Sequence, residues 1–134
     1  MGDDVLELRL VVTTEDYDAA LDFYRGALRL PEIGSYADGG GHVAILDAGR
    51  ATLELSDVPH AEHIDQLEVG RRVAGHIRVA FGVRDARRAT ERLIAAGATL
   101  LGPPVETPWR SLNSRLEGAA GLQLTLFQAL EPEV

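Results

Sequence analysis

Cysteine is absent from this sequence of 134 residues. A disulfide framework, a cysteine nucleophile and a thiolate metal site are therefore excluded. No apolar stretch approaches the roughly 18–20 residues that span a bilayer, so no membrane partner is expected. The start, Met1-Gly2-Asp3-Asp4, lacks the basic residues and apolar run of a secretion signal, and a cytoplasmic location is the expectation. Positive charge is also scarce. The formal net charge of −8 argues against a nucleic-acid surface, which needs clustered basic residues. Arg71-Arg72 and the run from Arg84 to Arg92 are basic, but acidic neighbours interrupt the second. Gly39-Gly40-Gly41 has neither the spacing nor the following helix of a nucleotide-binding turn.

What remains suits one folded domain: 46% hydrophobic residues is too apolar for a disordered chain. Leu6, Leu8, Leu10 and Val12 alternate with polar or smaller neighbours, the period of a strand. Asp16 then stands at the start of a helical pattern over Tyr17 to Leu28, placed to cap it, and Pro31 limits its continuation. Strands are predicted around His42–Leu46 and Ala51–Ser56, separated by glycine-containing turns. The polar stretch 57–75, with Pro59, His60 and His63, reads as a linker holding at most one short helical turn. Then the order repeats. Ile77, Val79, Phe81 and Val83 share a strand face. Asp85 precedes a helix reaching Ala96, which Gly97 ends. Leu100-Leu101 leads into Gly102-Pro103-Pro104, and strands follow at Leu112–Leu116 and Leu122–Phe127. Arg9 precedes Asp16 by the same interval that separates Arg78 from Asp85, each arginine opposite its apolar stripe. Each half thus reads as strand–helix–three strands, a unit that must pair to cover its apolar face.

This arrangement resembles the vicinal oxygen chelate superfamily (glyoxalase, bleomycin resistance protein and extradiol dioxygenase). The resemblance rests on Asp16-Tyr17-Asp18-Ala19-Ala20-Leu21-Asp22-Phe23-Tyr24 with Gly26-Ala27-Leu28. It rests also on Val83-Arg84-Asp85 with Ala95-Ala96-Gly97-Ala98, and on Glu117-Gly118-Ala119-Ala120-Gly121-Leu122-Gln123-Leu124. It implies an α+β fold in which two βαβββ modules, approximately 5–57 and 75–128 of a single domain, form a cupped mixed sheet with helices on its outer face. It says little about activity. Metalloenzymes of the family hold their ion with His, Glu or Gln from the first and last strands of each half. By the resemblance, those places fall here on Arg9, Glu54, Arg78 and Thr125, and only Glu54 matches. A guanidinium offers no lone pair, so neither metal nor cofactor is expected. His60 and His63 read as solvated linker residues, His76 as a turn or edge residue, and His42 as a strand start outside the cavity.

Period-two geometry gives the cup Glu7, Arg9, Val11, Thr52, Glu54, Ser56, Arg78, Ala80, Gln123, Thr125 and Phe127. Arg9 and Glu54 then either form a structural ion pair or stand ready for a ligand. Arg78 either binds an anionic group through its guanidinium fork or pairs with Glu7 or another carboxylate in a structural network. Trp109, in an irregular segment, supplies an aromatic wall to the pocket or packs over the sheet edge or a subunit contact. Tyr36 lines the rim, Phe127 faces the cup or plugs its end, and Tyr17, Phe23 and Tyr24 pack the helix.

The leading functional expectation is metal-free binding or sequestration of a small amphipathic organic molecule, anionic ones included, by a homodimer, through Arg9, Glu54, Arg78, Trp109, Gln123 and Thr125. The alternative is a metal-independent lyase or isomerase with Glu54 as acid/base and Arg78 stabilising negative charge. A metal-dependent lyase or dioxygenase ranks below both, because three of its four ligands are missing.

Overall fold

The structure, a computed structural model, describes residues 4–130; most of the acidic Met1-Gly2-Asp3-Asp4 start lies outside them. Eight strands, β1 (Val5–Thr14), β2 (Glu32–Tyr36), β3 (Val43–Asp47), β4 (Thr52–Asp57), β5 (Ile77–Val83), β6 (Thr99–Glu106), β7 (Ser111–Glu117) and β8 (Gln123–Ala129), form one open mixed sheet. Its order is β2-β3-β4-β1-β5-β8-β7-β6. The two modules meet where β1 runs antiparallel to β5, while β4 and β8 flank them in parallel. This is the α+β fold expected from the repeat.

Each module covers its outer face with one helix. Asp16 accepts from the Ala19 amide at 3.0 Å and starts α1 (Tyr17–Leu21), which loosens into a π-helical turn over Asp22–Ala27. Asp85 accepts from the Arg88 amide at 3.1 Å and starts α3 (Ala86–Ala95), and Gly97, at φ 109°, ends it. Leu21 packs on Ala44, Leu46 and Leu55 in the first module; Ala86 packs on Val83, Leu116 and Leu126 in the second. The apolar core is therefore two clusters, one beneath each helix. Tyr17 and Tyr24 join the first cluster, as expected, whereas Phe23 is left exposed by the π-helical turn. The strand β6 runs through Gly102-Pro103-Pro104, where the sequence pattern had only a strand end. As the outermost strand, with register shifts at this point, it tolerates residues that lack an amide proton.

A third helix corrects the linker reading. Residues Val58–Glu68 form α2, 11 residues long, with Asp57 accepting from the His60 amide at 2.9 Å and Pro59 in the first turn. Unlike α1 and α3, α2 lies over the cup face. Its first turn sits against Gly41, where an added Cβ would lie 2.1 Å from the His60 nitrogen. Its last turn rests on Gly102, where a Cβ would meet the Glu68 carbonyl at 2.2 Å. Between them α2 spans the sheet from the β2–β3 turn to β6.

What fixes α2 is buried charge. Arg115 of β7 is fully buried and donates to Asp65 at 2.7 Å, to both Glu68 (2.8 Å) and Gln123 (2.8 Å), and again to Glu68 through Nε at 3.2 Å. Asp65 also accepts from Arg72 and from the Val73 and Ala74 amides, each within 2.9 Å. Asn113 donates to the other Glu68 oxygen at 2.8 Å. Burial alone would raise the Asp65 pKa, but these donors together hold it below the ordinary carboxylate value.

Asp65→Asn leaves Arg115 buried with half its countercharge. Thermal and urea melts at neutral pH are expected to show a loss of about 3–5 kcal/mol. The difference from wild type shrinks in acid, because the stabilisation from a depressed carboxylate is lost as pH falls through its folded pKa.

Candidate functional site

The four central strands, β4, β1, β5 and β8, carry Glu54, Arg9, Arg78 and Thr125 on one face. Strand register explains the convergence. Glu54, Val11 and Arg78 form one row across β4, β1 and β5; Thr52, Arg9, Ala80 and Thr125 form the next across all four strands. Side chains paired across a sheet point to the same side. The face lines a cavity of about 400 Å³, whose walls include Arg9, Glu54, Arg78, Trp109, Thr125 and Phe127.

The two arginines, equivalent in the repeat, have different surroundings. Arg9 is held at both ends of its fork by Glu7, at 3.1 and 3.3 Å, lies 3.7 Å from Glu54 and stacks 4.3 Å above the Phe127 ring. Arg78 donates from Nη1 to the Thr125 hydroxyl. Its Nε is buried without a partner, and no carboxylate lies within ion-pairing distance of it among the described residues. The buried Val11 separates it from Glu54 in their shared row, and Glu7 is engaged by Arg9. Burial pushes the Arg78 pKa down, with the Arg115 charge acting in the same sense; the nearby carboxylates only partly oppose this. Burial likewise raises the Glu54 pKa, against the pull of Arg9 and Arg78.

The other predicted residues divide. Trp109, 46% exposed, stands in the cavity wall on the β6–β7 turn, and Tyr36 lines the wall from β2. Gln123 does not line it; its amide accepts from Arg115 and donates to the Val73 carbonyl. His42 holds Asp57 with its ring, and His76 contacts the Thr13 carbonyl, both outside the cavity. His60 is the correction among the histidines: α2 brings it into the cavity wall with Ile64 and Glu68, and its Nδ1 is buried without a partner. Desolvation lowers its pKa, leaving the ring neutral at pH 7. Ser111 and Asn113 of β7 complete that side. Their alternation against Leu112 and Leu116 was legible in the sequence; the α2 residues were not, because a helix folding back over the cup leaves no local sign of its destination.

Two guanidinium groups, one hydroxyl and one carboxylate do not fit a divalent cation: the cations repel it and only Glu54 is a customary donor. No cluster of three His, Asp or Glu side chains suited to a metal exists among the described residues. No described helix is long and apolar enough to cross a membrane.

The raised Glu54 pKa generates a stability prediction. The native state holds this proton more tightly than the unfolded chain, so the wild type loses stability relative to Glu54→Gln as pH rises above about 4.5, the ordinary value. Thermal melts of both proteins across that range are expected to diverge with rising pH; parallel curves would contradict it.

Comparison with known proteins places this geometry in context. No curated protein matches the chain in sequence. Solved structures match its fold at low identity. A hypothetical protein from Bacillus halodurans C-125 is 19% identical, with a TM-score of 0.69 over 94% of this chain and 95% of its own. A Streptomyces coelicolor methylmalonyl-CoA epimerase variant in complex with 2-nitronate-propionyl-CoA is 19% identical, with a TM-score of 0.68 over 96% and 99%. Methylmalonyl-CoA epimerase from Mycobacterium tuberculosis gives 18% and 0.63 over 96% and 89%. The sequence profile of one family matches residues 8–126. Because that match takes in nearly all of both modules, the chain belongs to the Glyoxalase/Bleomycin resistance protein/Dioxygenase superfamily.

Proposed function

We propose that the chain binds a small amphipathic organic anion in the cup, with Arg78 as its principal contact and no divalent metal at the family's usual position. The observation that carries this reading is the half-buried side chain of Arg78, whose Nε is buried without a partner and whose one hydrogen bond among the described residues goes to a neutral hydroxyl. A cation partly withdrawn from water without a close counter-ion is costly. A ligand carboxylate offers the missing charge and acceptor together. Arg9, already held by Glu7, contributes less directly, while Trp109, Tyr36 and Phe127 give apolar surface for the rest of the molecule. The epimerase neighbours include one in complex with methylmalonyl-CoA, itself a carboxylate, which is consistent with an anionic ligand. The chain acts as a homodimer in this reading, in keeping with Leu6, Leu8 and Ile77 standing exposed.

Trp109 is the sole tryptophan, so its emission reports occupancy of the cavity. Hexanoate is expected to bind more tightly than its neutral counterpart hexanamide. Arg78→Gln is expected to weaken hexanoate by about ten- to a hundredfold, the range for a hydrogen bond to a charged group. Equal binding of acid and amide would reject the reading.

A second reading is favoured by the raised pKa of Glu54. A carboxyl poised nearer neutrality, close to a cation, suits proton transfer next to a carbonyl in a metal-independent lyase or isomerase. Its test is proton–deuterium exchange into methylmalonyl-CoA in heavy water, followed by NMR after treatment with a chelator. Exchange by the wild type, with a loss of at least about a hundredfold in Glu54→Gln, would establish Glu54 as the base. Absence of exchange, or an undiminished rate in the variant, would remove that assignment.

A further inference from the structure

Among the described residues, three side-chain polar atoms are buried without a partner: Thr52 Oγ1, His60 Nδ1 and Arg78 Nε. The last two belong to residues lining the same cavity, one on the roof helix α2 and one on the floor strand β5. Buried polar atoms are ordinarily satisfied, so two exceptions around one cavity point to a molecule that satisfies both. We propose that His60 is a ligand-binding residue of the cup, recognising an uncharged hydroxyl or carbonyl on the same anion that Arg78 holds. This rests on the anion-binding reading given above.

The position of His60 is built into the fold. Its backbone nitrogen donates to Asp57 and sits where a Cβ on Gly41 would collide with it, so the first turn of α2 is fixed against the β2–β3 turn. Asp57 does not supply the ring with a partner, because its carboxylate is taken by the His42 and His60 amides and by the His42 ring. Around the imidazole stand Asp57 and Asp38, which favour its charged form, and His63 and Arg78, which oppose it; burial is the largest influence, acts with the latter pair and holds the pKa below its ordinary value. These mixed neighbours also select the ligand group. A second carboxylate at this point would face Asp38 and Asp57, and an ammonium would face Arg78 and His63. An uncharged hydroxyl or carbonyl faces neither conflict, and a neutral imidazole serves it as donor or acceptor according to its tautomer. The ligand class is therefore an anion with a second, uncharged oxygen at a spacing set by the distance from floor to roof.

The experiment uses the full chain, Trp109 emission, and hydroxyhexanoates bearing the hydroxyl at successive carbons, compared with hexanoate and hexanamide. At least one isomer is expected to bind the wild type about three- to tenfold more tightly than hexanoate, the value of one net hydrogen bond. His60→Phe keeps a ring without nitrogen and is expected to abolish that gain, so that within this variant the hydroxy acids bind no more tightly than hexanoate. His60→Asn places an amide at the Nδ1 position and is expected to restore it. His60→Gln carries its amide too far and is expected to behave like the phenylalanine variant, giving a second test if that variant folds poorly. The proposal is overturned if no isomer exceeds hexanoate, or if the gain survives in His60→Phe or His60→Gln while acid is still preferred over amide. Loss of the acid-over-amide preference in the wild type overturns instead the anion reading on which the assignment rests.

Discussion

Arg115 is completely buried, and the two carboxylates that neutralise it both come from α2. An isolated charge in that position would be prohibitive, so β7 and α2 must be formed together. This one interaction lays a roof over the cup face of an open sheet. Without it, the segment after β4 would be a polar connection between modules, and the cup would be open to water along its whole length. With it, an 11-residue helix is fastened across the cup face. Asp65 reaches further, accepting from Arg72, Val73 and Ala74, so the same cluster anchors the chain as it leaves α2 for β5.

The partition of charge in the cup follows from that anchor. Glu68 lines the cavity but is held by Arg115 and Asn113, and Glu7 is held by Arg9. Glu54 remains, two strands from Arg78 with Val11 between them. Arg78 is thus the cation that the scaffold leaves without a close counter-ion. The approximate twofold relation between modules makes this notable. Repeat symmetry places Arg9 and Arg78 equivalently, yet local acids break the equivalence: Glu7 stands two residues before Arg9, while His76 stands in the corresponding place before Arg78 and turns to Thr13. One arginine is paired with acids and the other bonds a neutral hydroxyl.

Membership of the superfamily accounts for the scaffold and leaves the chemistry to these substitutions. A cup built for converging side chains serves a metal when those side chains are lone-pair donors. Here two of the four central positions are permanent cations, which favour an anion at the same place.

The sequence alone determined the repeat, the two helices that cover the outer face, and the side of the sheet to which Arg9, Glu54, Arg78 and Thr125 point. Each is written in local signals: alternation in strands, Asp16 and Asp85 as caps, and Gly97 as a stop. It did not reveal α2. The buried positions of that helix are Ala61, Ile64, Asp65 and Glu68, a helical spacing half composed of acids, and so an apolar periodicity search passes over it. Only tertiary structure supplies the reason for burying those acids, since Arg115 lies 50 residues from Asp65 along the chain. The same holds for the fate of Gln123, drawn into the anchor rather than the cavity, and for His60, which entered it. A strand's facing is a local property of its backbone. The pairing of buried charges is a property of distant segments meeting, and it decided which side chains are engaged by the scaffold and which are not.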